Sequence, residues 1–126
     1  MRYLGIDYGK KRVGVALSDE TGKMAFPHEV IPNNDELITS LEAVIATHAV
    51  SAIVVGHSKN RDGSDNAIQA AVTEFITDIT LATGLPVHLE PEQYSTQEAV
   101  RFQGRTDKTD AAAAAIILNS YLAREN

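Results

Sequence analysis

Asp7 closes an apolar run in the stretch GIDYGKKRVGVALSD, Gly5 to Asp19, just before a glycine and three consecutive bases. A strand that ends in Asp-x-Gly and turns straight into a second strand presents a carboxylate to a phosphate or a metal. Further carboxylates follow at Glu90 and Glu92, after a short apolar segment, and at Asp107 and Asp110, ahead of an alanine run. Brought together without a partner, such groups repel and raise one another's pKa; a divalent cation removes the conflict. Oxygen-only donors suit Mg²⁺ or Mn²⁺ rather than zinc, and these ions complete their shells with water and phosphate oxygens. Two of them can activate a water and stabilise the leaving oxygen of a phosphodiester. The chain has no cysteine, which excludes disulfides and thiolate metal sites, and its histidines at 28, 48, 57 and 88 have no metal-binding spacing.

The elements that must carry these residues are readable from periodicity. Arg2–Asp7 and Arg12–Ser18 are expected strands, joined by a tight turn at Tyr8–Lys11 that Gly9 permits. Met24–Ile31 is the expected third strand, after a turn at Thr21–Gly22. A helix is expected from Asn33–Asn34, with Leu37, Leu41, Val44, Ile45 and His48 on one face. Val50–Val55 is apolar and mostly β-branched, as in a strand covered on both faces, and should break at Gly56. Ile68, Ala71, Val72, Phe75, Ile76 and Ile79 form a helical stripe that Gly84 stops, and Pro86–Glu90 is a short strand. Ser95–Glu98 has capping-box spacing and should open a short helix. Asp107–Arg124 is the last helix, with Ile116, Ile117, Tyr121 and Leu122 expected toward the core.

The order β-β-β-α-β-α-β-α-α predicts an α/β fold: a mixed five-stranded sheet with helices on both faces. In such sheets the functional crevice lies outside the carboxyl ends of the strands. Asp7, the loop after Gly56, and Glu90 with Glu92 are all expected at that edge, and a helix starting near Asp107 would bring Asp110 to it. At 126 residues the chain reads as one domain, 1–126. Nothing near its start has the shape of a signal peptide, and no apolar run is long enough for a membrane span, so a cytoplasmic protein is expected.

A net charge of −6 argues against a polynucleotide partner until its distribution is considered. Eight of the eleven bases fall in three clusters: Lys10, Lys11 and Arg12; Lys59 and Arg61; Arg101, Arg105 and Lys108. Residues 24–58 and 62–100 contain no Lys or Arg. Each cluster neighbours a candidate site loop, which predicts a basic rim for phosphates on an acidic body.

The segments GIDYGKKRVGVALSD, VVGHSKNRDGS, EQYST and DKTDAAAAAIILNSYL, in this order and spacing, resemble the YqgF-type ribonuclease H-like proteins. That family is described as Holliday-junction-resolvase-like enzymes, or as nucleases that mature the ribosomal small-subunit RNA. The resemblance spans essentially the whole chain. It implies a ribonuclease H-like fold, a catalytic and metal-binding set falling on Asp7, Glu92 and Asp110, and structured RNA or branched DNA as partner. Where the family usually shows Asp-Glu-Arg this chain has Pro91-Glu92-Gln93, and where it shows Gly-Leu-Pro the chain has Gly56-His57-Ser58. Two other readings stand beside it: a catalytically silent nucleic-acid-binding or transcription-associated module, and a nucleotide-binding phosphotransferase-like lobe. The sequence does not set the oligomeric state.

Overall fold

A computed structural model describes residues 1–57, 67–91 and 107–125. Alternating apolar residues build the first hairpin: β1 (Arg2–Tyr8) pairs antiparallel with β2 (Arg12–Ser18), Leu4 opposite Leu17 and Asp7 opposite Gly14. The expected turn at Thr21–Gly22 leads into β3 (Ala25–Pro32), antiparallel to β2. Asp19 organises that turn. Its carboxylate accepts from the Thr21 hydroxyl at 2.6 Å and from the Lys23 amide at 2.8 Å, which hold its pKa down at about 2.

Helix α1 (Leu37–His48) crosses to β4 (Val50–His57), which lies parallel to β1. Helix α2 (Ala67–Thr83) leads to β5 (Val87–Pro91), parallel to β4, and α3 (Asp107–Glu125) ends the chain. The sheet order is β3-β2-β1-β4-β5. The expected mixed five-stranded sheet is therefore observed, while the expected helix at Ser95–Glu98 lies outside the described residues. Among the described residues no helix is long and apolar enough to cross a membrane.

The two-residue period of the strands divides the core. Leu4, Ile6, Val13, Val15, Ile53 and Val55 point to one face, where they pack with Leu41 and Val44 of α1 and Val72, Phe75 and Ile79 of α2. Ala16 and Val54 point to the other, under Ala114, Ile117, Leu118, Tyr121 and Leu122 of α3. The alanine run explains how α3 lies so close. An added Cβ at Gly5 would meet Leu118 Cβ at 2.8 Å and the Ala114 carbonyl oxygen at 3.1 Å, so helix and strand are nearly in backbone contact. Asn119 ties α3 to the edge strand, its Oδ1 accepting from the Ala25 amide at 2.8 Å and its Nδ2 donating to the Ala25 carbonyl at 3.2 Å.

Three expectations are corrected. Helix α1 begins at Leu37 rather than at Asn33–Asn34, because Asn34 forms a turn first: its Oδ1 accepts from the Glu36 amide at 2.9 Å and its carbonyl from the Leu37 amide at 3.1 Å. Strand β4 does not break at Gly56, since the ladder to β5 carries on through Gly56–Glu90 and His57–Pro91. Ile116 faces solvent, 41% exposed, because the buried face of α3 is supplied by alanines, Ile117, Leu118, Tyr121 and Leu122.

Helix α1 ends on Ala49, which takes a left-handed conformation (φ 54°, ψ 49°) and donates its N–H to the Ile45 carbonyl. That conformation suits glycine and strains an alanine. Ala49→Gly is expected to stabilise the fold by about 0.5–1 kcal/mol, seen as a higher urea midpoint at unchanged slope.

Candidate active site

The sheet sets Asp7 in a distinctive row. It shares a face with Gly5, two residues earlier, and is therefore on the α3 side. On β2 its partner is Gly14, and on β4 the next step beyond the Ile6–Val55 pair brings Gly56 level with it. Gly56 in turn pairs with Glu90. The row across four strands thus reads Gly14, Asp7, Gly56, Glu90, with no side chain on either strand flanking Asp7. Asp7 is 8% exposed, a carboxylate sunk at the carboxyl end of β1.

Helix α3 supplies the cover. The Tyr3 and Tyr121 rings lie 5.8 Å apart, while Gly5 lies under Ala114 and Leu118, so α3 runs antiparallel to β1. Asp110 precedes Ala114 by one turn, roughly 6 Å of helix rise, which matches the roughly 6.6 Å of strand from Gly5 to Asp7. The register thereby directs the first turn of α3, with Asp107 and Asp110, to the Asp7 end of β1.

Glu90 behaves differently from a free ligand. It is 5% exposed, and its Oε1 lies 2.6 Å from Arg124 Nη2 in an ion pair off the hydrogen-bonding direction. Arg124 also lies over the Tyr121 ring, 6.0 Å from its centroid, and the His88 ring stacks on Tyr121 with centroids 5.3 Å apart. This ion pair links the end of α3 to β5. Among the described residues no group of three His, Asp or Glu is placed to hold a metal; Glu92 lies outside them, and of Asp110 the helix position is described.

Of the basic rim, Lys10 and Lys11 are exposed on the β1–β2 turn beside Asp7, and Arg12 is half-buried at the start of β2. Lys59, Arg61, Arg101 and Arg105 lie outside the described residues, and Lys108 falls in the first turn of α3. Sequence reasoning missed several contributors, Gly5 and Arg124 among them. Gly5 had a signal, a glycine inside an apolar strand, which marks a close backbone approach. Arg124 had none, because its partner lies far away in sequence.

Comparison with known proteins accords with this geometry. A family model described as "RuvX: Holliday junction resolvase" matches residues 1–124. Proteins named "Putative pre-16S rRNA nuclease" from Nitratidesulfovibrio vulgaris and Anaeromyxobacter sp. are 39% and 37% identical to this chain; each comparison covers 97% of it, and 93% and 96% of the relatives. Among solved structures, Thermus thermophilus RuvC in complex with a Holliday junction substrate superposes with a TM-score of 0.66 at 17% identity, covering 100% of this chain and 97% of the other. A fowlpox virus resolvase bound to Holliday junction DNA gives 0.60 at 12% identity, covering 99% of each. These two likenesses concern the fold, and they meet the expectation of a ribonuclease H-like sheet.

Proposed function

Because this chain belongs to the RuvX Holliday junction resolvase family, we propose that it is a metal-dependent nuclease that hydrolyses phosphodiester bonds in precursor 16S ribosomal RNA. The observation that carries the reading is the buried Asp7 carboxylate, flanked by two glycines under the first turn of α3. The names of the relatives favour RNA, and the family description keeps branched DNA as the second substrate. A phosphotransferase lobe loses its support, since the resolvase family match spans residues 1–124.

The donor chemistry fits Mg²⁺ or Mn²⁺: hard oxygen ligands, no cysteine in the chain, and a carboxylate sheltered from bulk water. Asp7, Glu92 and Asp110 would hold the ions. When bound, they supply Lewis acidity to the attacking water and to the leaving oxygen. The chain's own residues do the rest. The ladder on both sides of β1 fixes the Asp7 backbone, and α3 covers the sheet face beside it, which limits the water reaching the site. The bare glycine flanks leave room for a phosphodiester to approach Asp7 from the strand ends. Lys10, Lys11 and Arg12 attract the flanking phosphates from the turn, and Lys59, Arg61, Arg101, Arg105 and Lys108 are assigned the same task. A cytoplasmic location follows from the proposed substrate.

The test is a cleavage assay on a precursor 16S rRNA fragment and a four-way DNA junction, with Mg²⁺, Mn²⁺ or EDTA. Metal-dependent cleavage of the RNA is expected. Binding without cleavage in any metal would instead favour the silent module, to which the altered Pro91-Glu92-Gln93 segment points. The rim has its own test. Lys10→Glu combined with Lys11→Glu should weaken RNA binding by at least tenfold and flatten the plot of log K against log salt by about two, with little change in melting temperature.

A further inference from the structure

Asn33 lies where β3 gives way to α1, yet it holds both arms of the turn at Tyr8–Lys11. Its backbone N–H donates to the Lys11 carbonyl at 2.9 Å. Its side-chain Nδ2 donates to the Gly9 carbonyl at 2.7 Å. Lys10 is therefore bracketed, with the main chain of Asn33 securing the residue after it and the side chain securing the residue before it. The turn is also closed on itself: a Cβ at Gly9 would stand 2.5 Å from the Arg12 carbonyl oxygen. Neighbouring Asn34 serves the start of α1 instead, its Oδ1 accepting from the Glu36 amide and its carbonyl from the Leu37 amide.

We propose that Asn33 is a positioning residue for polynucleotide binding, holding the Lys10–Lys11 turn in one conformation beside Asp7. The inference rests on the reading of Lys10 and Lys11 as phosphate contacts. Two lysines on an exposed hairpin turn bind phosphates weakly when the backbone beneath them must be ordered at the same moment. A turn already fixed on both arms loses less freedom on binding, and its ammonium groups stay aligned with the strand end that carries Asp7. The side-chain bond is the informative one, because substitution removes it while leaving the main-chain bond to Lys11 in place.

The experiment measures binding of a fluorescein-labelled precursor 16S rRNA fragment in EDTA, then steady-state cleavage in Mn²⁺, for wild type, Asn33→Ala and Asn34→Ala. Asn33→Ala is expected to raise Kd and KM about five- to tenfold, flatten the salt slope by about one, and leave kcat at saturating RNA unchanged. Asn34→Ala, which removes only the turn before α1, should lower the melting temperature and leave Kd as it was. If Asn33→Ala does not fold, Asn33→Ser, which keeps a polar group at that position, carries the same test with the same sign. Normal RNA affinity in a folded Asn33 variant, when the Lys10/Lys11 double glutamate variant has lost it, overturns this inference alone. Normal affinity in the double glutamate variant itself, or no RNA binding by wild type, overturns the reading of the rim and this inference with it.

Discussion

Asp7→Asn is expected to lower cleavage by several orders of magnitude while the protein stays folded. Asparagine keeps the shape of the side chain and one acceptor oxygen, but it removes the charge that a hard cation requires. Asp7 is buried at the end of β1, with glycines on both flanking strands, and the isosteric amide fits the space the carboxylate occupies. In metal-free buffer the variant also escapes repulsion from the carboxylates assigned to the same site, Glu92 and Asp110. Its melting temperature without metal should equal or exceed that of wild type. Added Mg²⁺ or Mn²⁺ should raise the wild-type melting temperature and leave the variant where it was. Near-normal cleavage by the variant, or unfolding in metal-free buffer, would make Asp7 a structural turn residue.

Gly5→Val should be damaging in the opposite way, through packing. The first added carbon would stand 2.8 Å from Leu118 Cβ and 3.1 Å from the Ala114 carbonyl, and neither can move without shifting α3 itself. Overpacking of a filled core costs about 1–3 kcal/mol, and here the obstacle is a helix backbone, so a loss of about 3 kcal/mol is expected. Chemical denaturation measures it. Because Asp110 lies one turn from Ala114, a displaced α3 should also reduce cleavage at temperatures where the variant is fully folded. Full activity in a folded Gly5→Val protein would separate the seating of α3 from the chemistry.

Most of the sheet was legible because its strands repeat every two residues and its helices every three to four. The hairpin and the stripe on α2 follow directly from that pattern, and the buried β4 from its apolar, mostly β-branched run. The errors arose where a tertiary partner overrides a local signal. Gly56 looks like a stop, yet the ladder to β5 continues through it to His57. Asn33–Asn34 looks like a helix start, yet Asn33 is spent on the β1–β2 turn and Asn34 on a turn of its own. Ile116 looks like core until the alanines take over the buried face of α3.

The candidate site divides in the same manner. The strand-end carboxylate at Asp7 was visible from its motif, and so was the acidic start of the last helix. Glu90 was a candidate alternative to Glu92 in the sequence, since both follow the same short apolar run. Its pairing with Arg124, 34 positions away, ties it to the end of α3, and no local pattern encodes a contact of that range. The glycine row around Asp7 was hidden for a related reason. Gly14 and Gly56 become its neighbours only through strand register.

Crystals of the protein soaked in Mn²⁺, with anomalous diffraction collected at the manganese edge, would locate the ions directly. Anomalous density should appear at the carboxyl end of β1, within about 2–2.5 Å of the Asp7, Glu92 and Asp110 carboxylates, and should be absent from crystals of Asp7→Asn. Density confined to other acidic surfaces, with none at Asp7, would contradict a metal-dependent nuclease site at this sheet edge.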